Sequence, residues 1–399
     1  MKKQLTTLAL ACMAMLPINA QINGDGYYRI KNAITGRYMT LCDNHSKGID
    51  YNATEAETAA LETRKNKSDI ISDPGSVFYI KKINGNEYNI LAQGADMYSM
   101  INYYVKIIDS IYKKGAYRAY QTRSGATLYL ADKYSQNDNS WVITNGYKED
   151  ERDWEIIPVS TSSDNFIGIT PNIEANGKYY AAFYTGFDYK LSSADMKAYY
   201  VSKVNEKDGY AAYKEITGTI PANTPVYIEC SSKDASNNKI EPLDNKAKAI
   251  SGNRLTGVMF SVGNKYTGHY NSVVFKEPTM RTLNAEDGKL VLNTSTDLLS
   301  YIEVCINPGS YKDDDYTYKN TIPHNSFYLN VTEGAAKSIK VVSEEEFETT
   351  GINGVTVAGN NRTANIYNLN GIVVRKNATS TEGLAKGIYV FKGKKVVVD

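Results

Sequence analysis

Several classes of protein are excluded by what this 399-residue chain has little of. It contains three histidines, His45, His269 and His324, and none sits in a paired-ligand spacing such as HExxH. It has four cysteines, and Cys42, Cys230 and Cys305, which lie beyond the first twenty residues, match no zinc spacing. No GxSxG, Ser-x-x-Lys or phosphate-loop pattern occurs, so no catalytic motif marks an enzyme and no cofactor is called for. Neither charge sign dominates. Without Lys2 and Lys3 the chain carries 43 basic and 44 acidic residues, which gives no basic footprint for nucleic acid or an anionic membrane. The one long apolar run, Leu5–Leu16, has twelve residues, too few for a transmembrane helix.

That run is placed as in a secretory leader. Lys2 and Lys3 precede it, and Ile18-Asn19-Ala20 closes it on a small residue, so cleavage is expected between Ala20 and Gln21. Lipidation at Cys12 is the alternative, since Ala11-Cys12 looks like the end of a lipobox with Ala9 in the place of its Leu. A chain this long buries a core without disulfide staples. The cysteines therefore read as small buried hydrophobes, and Cys230 with Cys305 is the pair to consider for a bridge.

Tyrosine is abundant, supplying 33 of 44 aromatic residues. Its apolar ring and polar tip suit sheet surfaces and stacking on sugars. Tyrosine also heads a repeated phrase: GYYRIKNAITGRYM (26–39), then VFYIKKINGNEYNIL (77–91) and YRAYQTRSGATLYLA (117–131). Each copy reads as strand, polar turn, strand. Between the copies, 53–66 reads as a short exposed helix or a loop. Residues 97–112 predict an amphipathic helix, with Ile101, Tyr104, Val105, Ile108, Ile111 and Tyr112 on one face. Trp141 and DWEIIPV (153–159) close the segment.

From 165 to 332, short alternating strands recur with turn signals, which predicts an antiparallel β-sandwich. GTIPANTPVYIEC (218–230) and NTIPHNSFYLNV (320–331) echo each other within it. Residues 333–352 are acidic and turn-rich and read as a linker. The tail, 353–399, predicts a strand GVTVAG, a hairpin around Asn370-Gly371 and a second around Lys392-Gly393-Lys394.

The fold expected is thus mainly β: residues 21–160, then the sandwich 165–332, the linker, and a small C-terminal β domain. The repeated phrase resembles the ricin-like β-trefoil units of secreted Bacteroidota proteins. The middle segment resembles a β-sandwich module of the same proteins. The tail, through Ile366–Gly371, Leu384–Tyr389 and Lys394–Val398, resembles the C-terminal sorting domain of the type IX secretion system. These resemblances imply a secreted or surface-displayed protein, a glycan as ligand and the outer-membrane secretion machinery as a partner. On a trefoil the sugar sites lie at the turns after each copy. The candidates there are Asp43 and Asn44, Asp132 and Tyr134, and Trp141 and Asn145. Asp109-Ser110-Ile111 resembles an O-glycosylation site of these bacteria, and Asp313, Asp314 and Asp315 read as a solvated loop more readily than a Ca²⁺ site. The expected function is non-catalytic glycan binding. The alternatives are an adhesive surface protein with protein partners, and a hydrolase with an unrecognised site.

Overall fold

The computed structural model describes residues 22–41, 61–64, 70–93, 105–123, 125–132, 139–144, 150–244, 246–259, 272–305, 315–350, 364–392 and 394–398. Within these the chain is mainly β. Ten strands come first: β1 (Gly26–Asn32), β2 (Tyr38–Leu41), β3 (Leu61–Arg64), β4 (Phe78–Asn84), β5 (Glu87–Ala92), β6 (Val105–Asp109), β7 (Tyr117–Arg123), β8 (Ala126–Asp132), β9 (Asn139–Thr144) and β10 (Trp154–Pro158). They pair in the order β10-β1-β2-β3-β9-β8-β7-β6-β5-β4, and further pairings of β1 with β4 and β10 with β7 close a barrel. The three sequence copies open on β1, β4 and β7, each paired with the strand that follows it. Alternate residues fill the interior, as the two-residue period of a strand requires. Tyr28, Ile30, Phe78, Ile80, Ala119, Trp154 and Ile156 meet there in one core. The Trp154 indole N–H donates to the Leu130 carbonyl at 3.0 Å.

The helix expected over 97–112 is not found in its described part. Val105–Asp109 is strand β6, paired with β5 and β7. Val105 and Ile107 are buried while Ile111 and Tyr112 are 85% and 60% exposed, so alternation rather than a helical face decides the outcome. A β-branched run flanked by two strands with open hydrogen-bonding edges pairs with them. Similarly, Leu61–Arg64 within the 53–66 insert is strand β3.

The middle region contains β11 (Ile167–Gly168), β12 (Ile173–Ala175), β13 (Lys178–Phe183), β14 (Asp188–Leu191), β15 (Lys197–Asn205), β16 (Tyr210–Ile216), β17 (Thr219–Ile220), β18 (Val226–Cys230), β19 (Lys239–Leu243), β20 (Leu255–Val258), β21 (Met280–Glu286), β22 (Lys289–Asn293), β23 (Ser300–Cys305), β24 (Tyr316–Thr321), β25 (Ser326–Asn330) and β26 (Ser338–Ser343). Ten of them form a sheet in the order β12-β13-β18-β15-β16-β26-β22-β21-β25-β20. That sheet curls into a half-barrel. Backbone bonds from Asn176 N–H to the Gly288 carbonyl (2.7 Å) and from Tyr184 N–H to the Asn325 carbonyl (2.9 Å) draw its two arms together. Its inner face encloses Tyr180, Tyr199, Tyr227, Leu283, Leu292, Phe327 and Ile339. On the outer face, Ala181, Phe183, Ala198, Val226 and Ile228 pack against the four-stranded sheet β11-β19-β14-β17 through Ile167, Tyr189, Ile220 and Ile240. Two features go beyond a plain antiparallel sandwich: the curl, and the parallel pairing of β16 with β26.

The stretch 333–352, expected as a linker, contributes β26 and the helix α1 (Glu344–Thr350). Ile339 and Val342 are buried, and Glu344, Glu345 and Glu346 occupy the helix's first turn, where acidic side chains complement the macrodipole. The acidity that suggested a linker therefore marks a helix start. In the tail, β27 (Ala364–Asn368), β28 (Val373–Ala378), β29 (Gly387–Phe391) and β30 (Lys394–Val398) form the sheet β28-β27-β29-β30. Both expected hairpins are present, the first turning at Gly371 with φ 76°. The GVTVAG stretch, 354–359, lies outside the described residues. Cys230 is a free, buried thiol within the core between the two middle sheets, so it forms no bridge to Cys305, which ends β23 in a separate two-stranded sheet.

Arg29 joins the barrel to the start of the middle region, just ahead of β11. It follows Tyr28 on β1 and points away from the barrel interior, yet it is 1% exposed. Its guanidinium donates to Ser76 Oγ (3.0 Å), the carbonyls of Ile70 (3.2 Å) and Ile71 (3.4 Å), Asn165 Oδ1 (3.1 Å) and the Phe166 carbonyl (2.6 Å). Burial draws its pKa down to about 10, with the nearby Asp73 charge opposing, so it remains protonated at neutral pH. Arg29→Met leaves Asn165 Oδ1 and the Phe166 carbonyl without their guanidinium donor, while the Ile70 carbonyl keeps Ser76 Oγ and Asp73 N–H, and hydrogen bonds to a charged group are worth about 1.5–3 kcal/mol each. We expect a loss of about 3 kcal/mol in urea unfolding, with Arg29→Lys in between; an unchanged midpoint for Arg29→Met contradicts the role given to this residue.

Burial, with the charge of adjacent Glu229, pushes the Cys230 thiol up to about 12. Thiolate is the reactive form. At pH 8 iodoacetamide should therefore spare the Cys230 peptide in the folded protein and label it in urea, as read by peptide mass spectrometry. Equal labelling in both states contradicts this placement.

Candidate functional site

Of the residues expected at sugar-binding turns, Asp43, Asn44, Tyr134 and Asn145 lie outside the described residues. Trp141 sits on β9 opposite Glu62 of β3. Asp132, at the end of β8, is fully buried. Its Oδ2 accepts from Arg37 Nε (3.0 Å) and Thr35 Oγ1 (2.5 Å), with Arg37 Nη2 at 2.9 Å, so it ties the first copy to the third. Asp153 and Arg118 make a second buried pair at 2.6 Å. A third carboxylate, Asp73, accepts from Thr40 Oγ1 and caps the short Pro74–Ser76 turn by accepting from Gly75 N–H at 2.8 Å. The turn Asp residues of the barrel thus hold its seams together. A buried carboxylate needs such partners, because stripping its water is otherwise prohibitive.

Asp73 also borders a cleft of about 280 Å³ at the junction of barrel and half-barrel. The wall comes from six stretches of the chain, four of which supply its polar side chains. Ser72, Asp73 and Pro74 belong to the barrel's turn before β4. Thr170 and Asn172 connect β11 to β12. Thr282 and Leu283 lie on β21, and Pro323-His324-Asn325 leads into β25. The apolar part of the wall includes Ile173, Phe183, Leu298 and Phe327. His324 Nε2 stands 3.5 Å from Asp73 Oδ1 across the junction, and the Ser72 and Thr170 hydroxyls are 2.6 Å apart.

Two oxygens of cleft-lining residues are buried without a hydrogen-bond partner: Thr282 Oγ1 and Asn325 Oδ1. Both residues are 6% exposed. The Asn325 amide nitrogen is held, donating to the Tyr184 carbonyl (2.9 Å) and to Gln93 Oε1 (3.1 Å) of the barrel. That fixes the side chain and leaves its oxygen unmatched. Leaving a buried polar group unsatisfied costs about 1–3 kcal/mol, which a ligand bearing O–H or N–H groups recovers.

Motif search does not reveal this cleft, because its residues are gathered from positions 72 to 327. One signal pointed to it. In the echo noted above, Thr219-Ile220-Pro221-Ala222-Asn223 aligns with Thr321-Ile322-Pro323-His324-Asn325. Both closing asparagines adopt positive φ, 57° and 53°. Asparagine tolerates that conformation better than most residues. In the second copy this turn delivers His324 and Asn325 to the cleft.

Elsewhere, His45, His269, Asp313 and Asp314 lie outside the described residues. Ser110 follows β6 in a turn, where its Oγ accepts from the N–H groups of Tyr112 and Lys113, each at 3.1 Å. Among the described residues no group of three or more His, Cys, Asp or Glu side chains converges to hold a metal, and no helix is long and apolar enough to cross a membrane. No protein-family model matches the sequence, and no curated protein matches it.

Thr282→Val replaces the unmatched hydroxyl by a methyl of similar shape. The free protein should gain about 1 kcal/mol in urea unfolding, since an unsatisfied buried hydroxyl is removed. A loss of stability shows that Thr282 Oγ1 has a partner in the folded protein.

Proposed function

We propose that this chain is a non-catalytic, glycan-binding protein of the cell exterior, and that the cleft between barrel and half-barrel holds a sugar. The observation that carries the reading is the pair of unmatched oxygens, Thr282 Oγ1 and Asn325 Oδ1, in a cleft whose wall also includes Phe183 and Phe327. A sugar ring has an apolar C–H face and a rim of hydroxyls, and small-ligand sites combine an apolar wall with a few placed polar groups in the same way. At about 280 Å³ the cleft suits one sugar residue or a chain end. Glycoside hydrolysis commonly uses two carboxylates about 5–9.5 Å apart. Among the described residues lining the cleft, Asp73 is the one carboxylate, and Thr40, Gly75 and His324 engage it.

The finer fold reading belongs to the same proposal. Three hairpin-led copies around a closed barrel support a β-trefoil-like domain over 21–160. The core shared by the curled and four-stranded sheets supports a sandwich-like module over 165–332. The leader at 1–20 supports export, and the two hairpins of the tail support a sorting-like domain handled by outer-membrane secretion machinery. An adhesive role toward protein partners is favoured by one feature: Tyr301 and Tyr318 stand 66% and 51% exposed on the β23–β24 hairpin with ring centroids 5.5 Å apart. Exposed aromatic pairs of this kind serve as interface anchors.

The test is a glycan array with the chain from Gln21 to Asp399, followed by titration of the best hit. One glycan class should bind, His324→Ala and Thr282→Val should each weaken it about tenfold (about 1.4 kcal/mol), and mass spectrometry should recover the glycan unchanged. Silence across host, dietary and microbial glycans, or binding indifferent to both substitutions, contradicts the site. A cleaved product contradicts the non-catalytic reading.

A further inference from the structure

The inner face of the half-barrel holds a second recess, of about 280 Å³, unconnected with the glycan reading. Strand register builds it. Tyr180 on β13 lies opposite Glu229 on β18, and Tyr199 on β15 lies opposite Tyr227 on β18. Tyr227 and Glu229 are two residues apart and share a face. Tyr213 joins them from β16. The Tyr199 and Tyr227 rings stack, with centroids at 5.1 Å and planes 23° apart. Tyr213 meets Tyr199 edge-on at 5.1 Å, and Tyr180 meets Tyr227 edge-on at 6.2 Å. Glu346 of α1 closes the recess from the other side.

The charges are one-sided. Glu229 and Glu346 line the recess, and no Lys or Arg is among the described residues that do. The Tyr180 hydroxyl donates to Glu229 Oε2 at 3.2 Å. The nearest cation in contact is Lys178, whose Nζ is 3.3 Å from Glu229 Oε1. Its side chain is 54% exposed against 15% for Glu229, so the lysine end of the pair lies in solvent, where a competing cation can replace it. Burial above all keeps the phenols of Tyr180, Tyr199 and Tyr227 protonated far beyond neutral pH. The recess therefore sets neutral phenols and two carboxylates beside Asn176, Leu290, Val341, Val342 and Ser343, and carboxylates accept without donating. Such a wall is complementary to a positive charge on an organic body, which gains from both ring quadrupole and carboxylate.

From this geometry we propose that Tyr180, Tyr199, Tyr213, Tyr227, Glu229 and Glu346 form a binding site for an organic ammonium group. The site is distinct from the cleft at the barrel junction. Its occupant is a quaternary or primary amine on a small apolar or hydroxylated body.

The experiment uses the chain from Gln21 to Asp399 and compares choline with its uncharged isostere 3,3-dimethyl-1-butanol, by isothermal titration and by saturation-transfer NMR. The two probes match in shape, so their difference reads the charge. Choline should bind at least about tenfold more tightly, as expected for a desolvated cation among rings and a carboxylate. Glu229→Gln should cost choline about tenfold and leave the isostere unchanged. Lys178→Ala, at an exposed position, removes the competing cation and should tighten choline several-fold, which keeps the test decisive should Glu229→Gln misfold. His324→Ala, in the other cleft, should leave choline binding intact. Equal affinity for the two probes, no binding of either, preference for a neutral sugar at these tyrosines, or loss of choline binding in His324→Ala overturns the proposal.

Discussion

A buried guanidinium with neutral acceptors on two sides organises this molecule. Arg29 leaves β1 on the outside of the barrel, where a strand residue ordinarily meets water, and is instead enclosed by the barrel's 70–76 turn and the residues ahead of β11. Some of its acceptors belong to the barrel's own turn, Ile70, Ile71 and Ser76; the others, Asn165 and Phe166, begin the next region. A guanidinium stripped of water is tolerable only when its donors are matched, so the two bodies are stable together in one arrangement. Further contacts follow the same seam. Tyr27 packs edge-on against Phe187 at 5.4 Å, the Tyr79 hydroxyl donates to Asp244, and Gln93 Oε1 accepts from both Thr185 Oγ1 and Gly186 N–H. At Gly186 the backbones come so close that a Cβ would stand 3.0 Å from the Gln93 carbonyl oxygen.

The cleft is a by-product of that seam. Holding the 70–76 turn against the start of the middle region places Ser72 beside Thr170 and Asp73 beside His324. Along the junction Gln93 Nε2 is buried without a partner, and at the cleft Thr282 Oγ1 and Asn325 Oδ1 are left over as well. The two recesses also differ in chemistry. One mixes hydroxyls, amides, a histidine and the Asp73 carboxylate with an apolar wall. The other sets four tyrosines and two glutamates, with no Lys or Arg among its described lining residues, beside Leu290, Val341 and Val342.

How much of this was legible in the sequence depends on how local the cause is. The repeated aromatic phrase announced the strands that open each third of the barrel, because alternation and a turn glycine act within a few residues. Asn370-Gly371 announced its hairpin for the same reason. Segment 105–109 reads as helix from its spacing, since Val105 and Ile108 fit a helical face as readily as a strand; pairing with the neighbouring strands β5 and β7, outside the segment, decides it. The acidic run at 344–346 reads as a linker by composition, although its charge suits a helix start and Ile339 just before it is core. Asp132 carried the signature of a turn residue able to meet a ligand, and only the fold reveals that Arg37 reaches it. The cleft residues share no spacing at all; what survives in the sequence is the duplicated Thr-Ile-Pro turn that ends in a left-handed asparagine.

The central claim is that barrel and half-barrel stand or fall as one unit because of what is buried between them. Both tryptophans, Trp141 and Trp154, lie in the barrel strands, so tryptophan fluorescence reports the barrel alone. A urea titration following that fluorescence, with hydrogen exchange of the half-barrel strands read by mass spectrometry at each concentration, measures the two bodies independently. Coincident midpoints are the result this account predicts. A barrel that loses its tryptophan signal while β13, β15 and β18 stay protected would show two bodies merely leaning on each other, and would contradict it.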